Sequence, residues 1–198
     1  MTITLKNIPL GSPWEPGRAL WVFGYGSLMY RVDFPIDQQV FGFIKGRYRA
    51  FLQKSHDHRG TPQQPGRVCT LLANSHRESV CWGVAYKVKA GMEAEVKELL
   101  DFREKDGYTI EFVSVFTKAG AVVCEDAVVY VGVSSNPSFA KDHESSIDAT
   151  AQVIARAVGP SGSNREYLFK LIEALRKNGV EPEAYLQELE HKVRAIAL

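Results

Sequence analysis

Trp21-Val22-Phe23-Gly24-Tyr25-Gly26-Ser27-Leu28 is the stretch of this sequence that decides the fold and points to a site. An apolar, β-prone run ends at two glycines that bracket a tyrosine, which predicts a strand followed at once by a sharp turn. Glycine has no Cβ and tolerates a positive φ, so the backbone can approach a ligand closely there. Consecutive backbone N–H groups at such a turn favour an anion or a polarised carbonyl. A strand with an ordinary tight turn would explain the stretch equally well.

Length and composition predict a single domain with its own core. The chain has 198 residues, of which 45% are hydrophobic. Its formal net charge is +1, which argues against nucleic acid or an anionic membrane surface as a partner. No run approaches the roughly eighteen apolar residues of a membrane-spanning helix. We therefore expect a protein that binds neither nucleic acid nor a membrane.

The first twenty residues are predicted to be a loosely ordered extension, and residues 21–198 a single domain. Residues 1–17 contain three prolines and lack the basic-then-apolar pattern of a secretory signal. The cysteines Cys69, Cys81 and Cys124 are odd in number and lie in separate β-like runs. This pattern predicts buried, reduced thiols, which are typical of a cytoplasmic protein.

The first two thirds of the chain are predicted to be mainly β-structure. The predicted strands are 19–23, 40–44, 48–52, 67–72, 80–88, 109–116 and 121–131. Gly42 and Gly83 interrupt two of them, which indicates bulges or barrel corners. A helix is predicted over 92–102, because its apolar residues fall on one face.

The last third of the chain is predicted to be helical. Ile147, Ala151 and Ile154 mark one apolar stripe, which ends before Gly159-Pro160. Ser163 and Glu166 form the pattern of a capping box for the next helix. Gly179 ends that helix, and Pro182 opens the last one. We predict an α+β fold, with a curled or closed mixed sheet and helices packed outside it.

Glu104 is the candidate catalytic residue. It follows the helix predicted over 92–102 and precedes Gly107-Tyr108. The helix dipole disfavours its charged form, whereas Arg103 and Lys105 favour it, so the direction of its pKa shift stays open. A carboxylate held at the end of an element is well placed to be a general base. A solvated glutamate at a helix end is the alternative.

Three other segments are candidates for a functional motif, but each gives weaker support for one than Glu104 does. The loop with His56 and His58 has too few ligands nearby for a metal site, but Arg59 or Arg67 could clamp a carboxylate. An ordinary surface loop is the alternative. The run 159–164 lacks the lysine of a nucleotide-binding loop, so we expect it to cap and pack a helix. The residues around Ser27 do not form the elbow of a serine nucleophile.

Several motifs, taken together, resemble the ChaC family in order and spacing from residue 21 to the helix after Glu166. They are Tyr25-Gly26-Ser27-Leu28, Asp57-His58-Arg59-Gly60-Thr61-Pro62, Pro65-Gly66-Arg67-Val68, Trp82-Gly83-Val84-Ala85-Tyr86, Leu100-Asp101-Phe102-Arg103-Glu104-Lys105-Asp106-Gly107-Tyr108, Tyr130-Val131-Gly132, Asn136-Pro137 and Gly159-Pro160-Ser161-Gly162. The chain departs from the family at Arg49-Ala50-Phe51-Leu52-Gln53, where the family usually shows Arg-Arg-Phe-Trp-Gln, and at His56, where a threonine is common.

The resemblance implies a γ-glutamylcyclotransferase-like fold built round a small barrel. It also implies a cytosolic enzyme that cleaves reduced glutathione to 5-oxoproline and cysteinylglycine, without a metal or an organic cofactor. By the same resemblance, residues 22–27 form the substrate-binding loop and Glu104 is the catalytic acid/base.

The chemistry of this reaction needs few protein groups, because the attacking amine and the attacked carbonyl belong to one molecule. We expect Glu104 to move the protons and the backbone N–H groups of residues 24–27 to hold the α-carboxylate or the oxyanion. The predicted substrate-binding residues are Val22, Phe23, Gly24, Tyr25, Gly26, Ser27, Leu28, Arg59, Tyr108 and Tyr130. A cyclotransferase for other γ-glutamyl amines and a non-catalytic member of the fold remain alternatives.

Overall fold

A closed barrel of five strands forms the centre of the structure, a computed structural model that describes residues 18–74, 76, 79–103, 108–141 and 144–196. The barrel strands are β1 (Trp21–Gly24), β2 (Ile36–Lys45), β5 (Val80–Val88), β6 (Tyr108–Thr117) and β7 (Val122–Gly132). Their order is β1-β5-β2-β6-β7. Neighbouring strands are antiparallel except where β1 closes the barrel beside β7, with Val22 opposite Val128. The predicted closed mixed sheet is confirmed.

The other elements lie around this barrel. They are β3 (Arg47–Ser55), β4 (Gly66–Ala73), β8 (Val158–Gly159), β9 (Gly162–Ser163), α1 (Glu93–Arg103), α2 (Ile147–Arg156), α3 (Asn164–Lys177), α4 (Ala184–Ile196) and a 3-10 helix (Ser27–Met29). Each of the seven predicted strands and four predicted helices is present. Among the described elements, β8, β9 and the 3-10 helix had no counterpart in the sequence prediction. The α+β class is confirmed.

Gly42 and Gly83 lie directly opposite each other in the β2–β5 pair. The register runs without interruption from Gln38 to Lys45. Of the two predicted alternatives, a bulge or a barrel corner, the bulge is therefore wrong, and the irregularity of this pair lies between Ile36 and Gln38. A Cβ on Gly42 would come within 2.3 Å of the Phe116 carbonyl oxygen, and one on Gly83 within 2.4 Å of the Phe23 ring. The lack of a side chain therefore lets neighbouring barrel segments pack closely.

The β3–β4 hairpin lies beside the barrel as a separate two-stranded sheet. The buried hydroxyl of Thr70 on β4 joins the two sheets: it donates to the carbonyl of Gly132 (3.0 Å) and accepts from the N–H of the same residue (2.8 Å). Because Gly132 is the last residue of β7, this contact holds the hairpin against one end of the barrel.

The helices bury the apolar stripes that the sequence predicted. Ala151 and Ile154 of α2 are fully buried, as are Val96 and Leu100 of α1, to within 1%. A larger cluster joins the barrel to α2, α3 and α4, and a smaller one joins it to α1. None of the helices in the described ranges is long and apolar enough to cross a membrane.

The cysteines agree with the prediction in two cases of three. Cys69 and Cys81 are buried free thiols, whereas Cys124 is a free thiol that is only half-buried. Burial raises the pKa of each of the two buried thiols to about 11, so both are protonated near neutral pH.

Candidate functional site

A cavity of about 280 Å³ opens beside the end of β1. The 3-10 helix, the β3–β4 hairpin, α1, α3 and the adjoining ends of β6 and β7 surround it. All ten predicted substrate-binding residues line it: Val22, Phe23, Gly24, Tyr25, Gly26, Ser27, Leu28, Arg59, Tyr108 and Tyr130. The topology thus brings together residues that are up to 108 positions apart in the sequence.

The first wall is the segment 24–29, called here the turn. The protein itself binds four consecutive carbonyl groups of this segment. Tyr25 O accepts from Arg49 (2.8 Å), Gly26 O from the N–H of Met29 (3.0 Å), Ser27 O from the N–H of Arg31 (3.0 Å) and Leu28 O from the hydroxyl of Tyr86 (2.5 Å).

These bonds also orient the amides of the turn. A trans peptide unit is planar, so the N–H of each following residue points away from the carbonyl. Since the carbonyls of residues 25–27 are directed into protein, the amides of Gly26, Ser27 and Leu28 are directed the opposite way.

Gly24 and Gly26 lie in close contact with neighbouring side chains, which leaves no room for a Cβ atom at either position. Neither residue has a positive φ, so the conformational freedom of glycine is not the reason for its presence at these positions. A Cβ on Gly24 would lie 2.4 Å from the Cβ of Leu28. One on Gly26 would lie 2.7 Å from the hydroxyl of Tyr167 and 3.1 Å from the sulfur of Cys69. A side chain at either glycine would therefore collide with Leu28 or with Tyr167 and Cys69, and glycine avoids this collision.

Arg49 holds the turn from behind, and sequence reasoning missed this role. Its side chain is fully buried, with 0% exposure. The guanidinium donates to the carbonyls of Tyr25 and Trp82, contacts the sulfur of Met29 at 3.2 Å and pairs with Glu183 at 2.9 Å. A buried arginine fork thus ties the turn to β5 and to the start of α4.

Gln53 is the second residue that sequence reasoning missed. It lines the cavity and is 1% exposed. Its Oε1 accepts a long hydrogen bond of 3.4 Å from Asn136, but its Nε2 has no hydrogen-bond partner among the described residues. A buried donor without a partner costs about 1–3 kcal/mol. Such a group at a cavity wall is suited to a ligand carbonyl or carboxylate.

Tyr25 and Tyr130 connect the turn to α1. The hydroxyl of Tyr25 donates to the carbonyl of Tyr130 (2.7 Å), and the hydroxyl of Tyr130 donates to the carboxylate of Asp101 (2.8 Å). Asp101 forms an ion pair with Lys97, one turn earlier in α1. Both tyrosine hydroxyls therefore donate to protein groups. Tyr25 and Tyr130 contribute their aromatic rings to the cavity wall.

Lys54, Ser55, Asp57, His58 and Arg59 line the cavity and are called here the polar wall. Arg59 is the member of this wall that the sequence predicted. Its guanidinium donates to the carboxylate of Glu166 (3.0 Å) and to the carbonyl of Ser163 (3.1 Å), and it lies 5.9 Å from the ring centre of Tyr167. The pKa of Glu166 is lowered mainly by the hydrogen bond from Lys170 and next by that from Arg59. Ser163 caps α3 by accepting from the N–H of Glu166 at 3.3 Å, which confirms one half of the predicted capping box. The carboxylate of Glu166 contacts Arg59 and Lys170 instead.

Arg67 does not line the cavity. It is buried behind the polar wall, where its N–H donates to Asn164 (2.6 Å) and its guanidinium lies 3.9 Å from Glu144. The segment 159–164 packs tightly against the hairpin, since a Cβ on Gly159 would lie 2.3 Å from the carbonyl oxygen of His58. This agrees with the predicted packing role of that segment.

Cys69 and Tyr167 form a neutral part of the cavity wall. Their sulfur and hydroxyl lie 3.0 Å apart. Burial raises the pKa of Tyr167 well above its ordinary value, as it does for the pKa of Cys69. Within the described part of the chain, no three His, Cys, Asp or Glu side chains cluster as metal ligands, and His58 instead contacts the hydroxyl of Ser161 at 3.2 Å.

Glu104 lies outside the described residues. The described residues nearest to it in the sequence that line the cavity are Leu100, in α1, and Tyr108, at the start of β6.

The comparisons with known proteins agree with this architecture. Residues 20–196 match the ChaC-like protein family. A γ-glutamylcyclotransferase 2-3 of Arabidopsis thaliana is 42% identical over 182 residues, 90% of each chain. A glutathione-specific γ-glutamylcyclotransferase of Schizosaccharomyces pombe is 37% identical and covers 91% of this chain and 95% of its own.

A crystal structure from yeast, of a γ-glutamyl cyclotransferase specific to glutathione, has the same fold. It superposes with a TM-score of 0.82 and 32% sequence identity, covering 89% of this chain and 96% of the yeast chain. The predicted γ-glutamylcyclotransferase-like fold is confirmed.

Proposed function

The chain belongs to the ChaC-like protein family, and we propose that it is a glutathione-specific γ-glutamylcyclotransferase. The reaction cyclises the γ-glutamyl group of reduced glutathione and releases 5-oxoproline and cysteinylglycine. One structural observation carries the proposal. The turn, Gln53, whose Nε2 has no partner among the described residues, and both flanks of the segment with Glu104 line a single cavity.

This cavity suits an intramolecular reaction. The α-amine of the glutamyl group attacks the γ-carbonyl of the same molecule and closes a five-membered ring. Well-oriented intramolecular reactions can lower a barrier by about 7–11 kcal/mol. The protein has to fold the glutamyl chain back, move two protons and stabilise one oxyanion.

We propose that Glu104 moves both protons. Its carboxylate first takes a proton from the α-ammonium group, which frees the amine lone pair for attack. It then returns this proton to the cysteinyl nitrogen as the C–N bond breaks, and takes the second proton from the ring nitrogen, which leaves a neutral lactam. This second proton passes to the released amine or to water. A carboxyl group has a reference pKa of about 4.3 and an α-amine one near 8, so burial that raises the pKa of Glu104 would favour this transfer.

The N–H groups of Gly26, Ser27 and Leu28 are proposed as donors to the oxyanion or to the glutamyl α-carboxylate. Their support is the set of internal bonds that directs the carbonyls of residues 25–27 into protein. The Nε2 of Gln53, on β3, is proposed as a further donor. Donors fixed in advance stabilise a developing charge without reorganising during the reaction.

We also propose a cytoplasmic location, where reduced glutathione is available. The three cysteines support it, since each is a free thiol in the described structure.

Incubation of the purified protein with reduced glutathione tests the function directly. We expect mass spectrometry to detect 5-oxoproline and cysteinylglycine in equal amounts. Glutathione acetylated on the α-amine is the matched control, because the attacking nitrogen is blocked, and cleavage of that compound would indicate ordinary hydrolysis.

A panel of γ-glutamyl amines and γ-glutamyl amino acids distinguishes the related activities. Turnover of the panel with little preference for glutathione would contradict the glutathione specificity while leaving the ring closure intact. Binding of glutathione without turnover would indicate a non-catalytic member of the fold.

A further inference from the structure

The charged groups around the cavity are not equivalent. Its cationic side chains are Arg31, Lys54 and Arg59. Reduced glutathione carries two carboxylates and one ammonium group near neutral pH, since α-carboxyl groups have pKa values near 3.5 and α-amines near 8. The glycine carboxylate is the charged group farthest from the reacting carbonyl.

Two of the three cations are already paired within the protein. Lys54 lies 2.9 Å from the carboxylate of Glu144, and Arg59 lies 3.0 Å from that of Glu166. A second anion at either of them would meet a cation whose charge the resident carboxylate already offsets.

Arg31 differs from both of them. Its side chain is exposed at the rim and makes no hydrogen bond or ion pair with any residue that the structure describes. Its backbone is nevertheless fixed, because its N–H donates to the carbonyl of Ser27 at 3.0 Å. The backbone of Arg31 is thus fixed about one turn beyond the proposed oxyanion donors. The five N–H donors of its guanidinium remain available to a ligand.

We propose that Arg31 binds the glycine carboxylate of glutathione and so distinguishes the tripeptide from shorter γ-glutamyl compounds. This rests on the proposed function. The reacting γ-carbonyl and the glycine carboxylate are two residues apart, about 7 Å in an extended chain. An arginine about one turn beyond the donors matches this separation, and its planar fork can bind a carboxylate through two parallel hydrogen bonds.

The exposed position of Arg31 favours the glycine end of the substrate over the glutamyl end. The glutamyl group has to be enclosed beside the turn for ring closure. The glycine carboxylate can stay near solvent, and a contact there affects binding rather than the chemical step. Loss of the contact should therefore raise KM and leave kcat nearly unchanged.

The test compares two substrates and three variants. The substrates are reduced glutathione and glutathione with its glycine carboxylate converted to an amide. The variants are Arg31→Gln, Arg31→Lys and the control Arg156→Gln, which removes the same charge from the exposed end of α2.

We expect the wild type and Arg156→Gln to have a KM for glutathione about fivefold to tenfold below that for the amide. Arg31→Gln should show nearly the same KM for both substrates, and Arg31→Lys should keep part of the preference. Unchanged melting temperatures would exclude a folding effect.

The proposal is overturned if the wild type does not distinguish acid from amide, or if Arg31→Gln still does so by the wild-type factor. It is also overturned if Arg31→Gln weakens both substrates equally, because the residue would then act on another group. If the wild type does not turn glutathione over, the proposed function fails. Calorimetric titration of glutathione and its amide then measures the same contrast as a ratio of Kd values.

Discussion

The turn and the β3 face opposite it build the same cavity in different ways. In the turn, the carbonyls of residues 25–28 all accept hydrogen bonds from protein groups. On β3, Gln53 keeps an Nε2 group that is buried and has no partner among the described residues. The first arrangement stabilises the fold, and the second leaves a donor that a ligand can satisfy. Substitutions in the two regions should therefore separate stability from activity.

The largest kinetic effect is expected at Glu104, which belongs to neither region. Glu104→Gln keeps the size of the side chain but removes the group that accepts the proton. We expect kcat on glutathione to fall by about a thousandfold or more, at the strong end of general acid–base effects, with the urea midpoint unchanged. Single-turnover release of 5-oxoproline measures this. Wild-type turnover in Glu104→Gln would remove the residue from the mechanism.

The largest effect on stability is expected at Arg49. Arg49→Met leaves the carbonyls of Tyr25 and Trp82 and the carboxylate of Glu183 without their shared partner. Breaking a buried charged network in this way costs about 3–5 kcal/mol. Urea unfolding measures the loss, and Arg49→Lys is the matched control, because it keeps the charge but cannot form the fork. A Met variant as stable as the wild type would contradict the anchoring role of Arg49.

The pattern along β3 shows how much of the site the sequence could predict. Arg49, Phe51, Gln53 and Ser55 alternate along the strand, and all four are buried. The register with β4 shifts between Ala50 and Gln53, so Arg49, opposite Leu71, and Gln53, opposite Val68, lie on different faces of the hairpin. Period-two alternation alone would not have predicted this arrangement. Their partners could not be read from the sequence, since Glu183 lies 134 positions from Arg49 and Asn136 lies 83 from Gln53.

The strands, helices and cavity-lining residues were easier to predict, for a physical reason. Apolar periodicity and turn residues are local signals, and they located α1, β5 and the turn. A bulge, one of the two alternatives predicted at Gly42 and Gly83, is wrong because these glycines make close contacts with Phe116 and Phe23, which only the closed barrel creates.

Substitution of Gln53 should have the opposite effect to substitution of Arg49, with a small change in stability and a large change in activity. Gln53→Leu removes the unpartnered Nε2 and a single long hydrogen bond to Asn136, so we expect the free energy of unfolding to change by less than about 1 kcal/mol. The value of kcat/KM for glutathione should fall by about tenfold to a hundredfold, because a donor to the substrate is lost. Urea unfolding and steady-state kinetics on one preparation measure both. A large loss of stability with normal kinetics would place Gln53 among the structural residues.

The smallest effect is expected at Glu144, which pairs with Lys54 at the edge of the polar wall. The hydrogen bond from Lys54, followed by that from the N–H of Lys141, lowers the pKa of Glu144 to about 2. A carboxylate with a lowered folded-state pKa stabilises the protein above its unfolded pKa of about 4.5, and this contribution is lost as the pH falls toward 2. The pair is partly exposed, so Glu144→Gln should cost under about 1 kcal/mol at pH 7. The wild type and the variant should converge in stability between pH 4.5 and pH 2. Urea unfolding across this range measures the difference, and a constant gap down to pH 2 would show that the side chain stabilises the hairpin by packing rather than by charge.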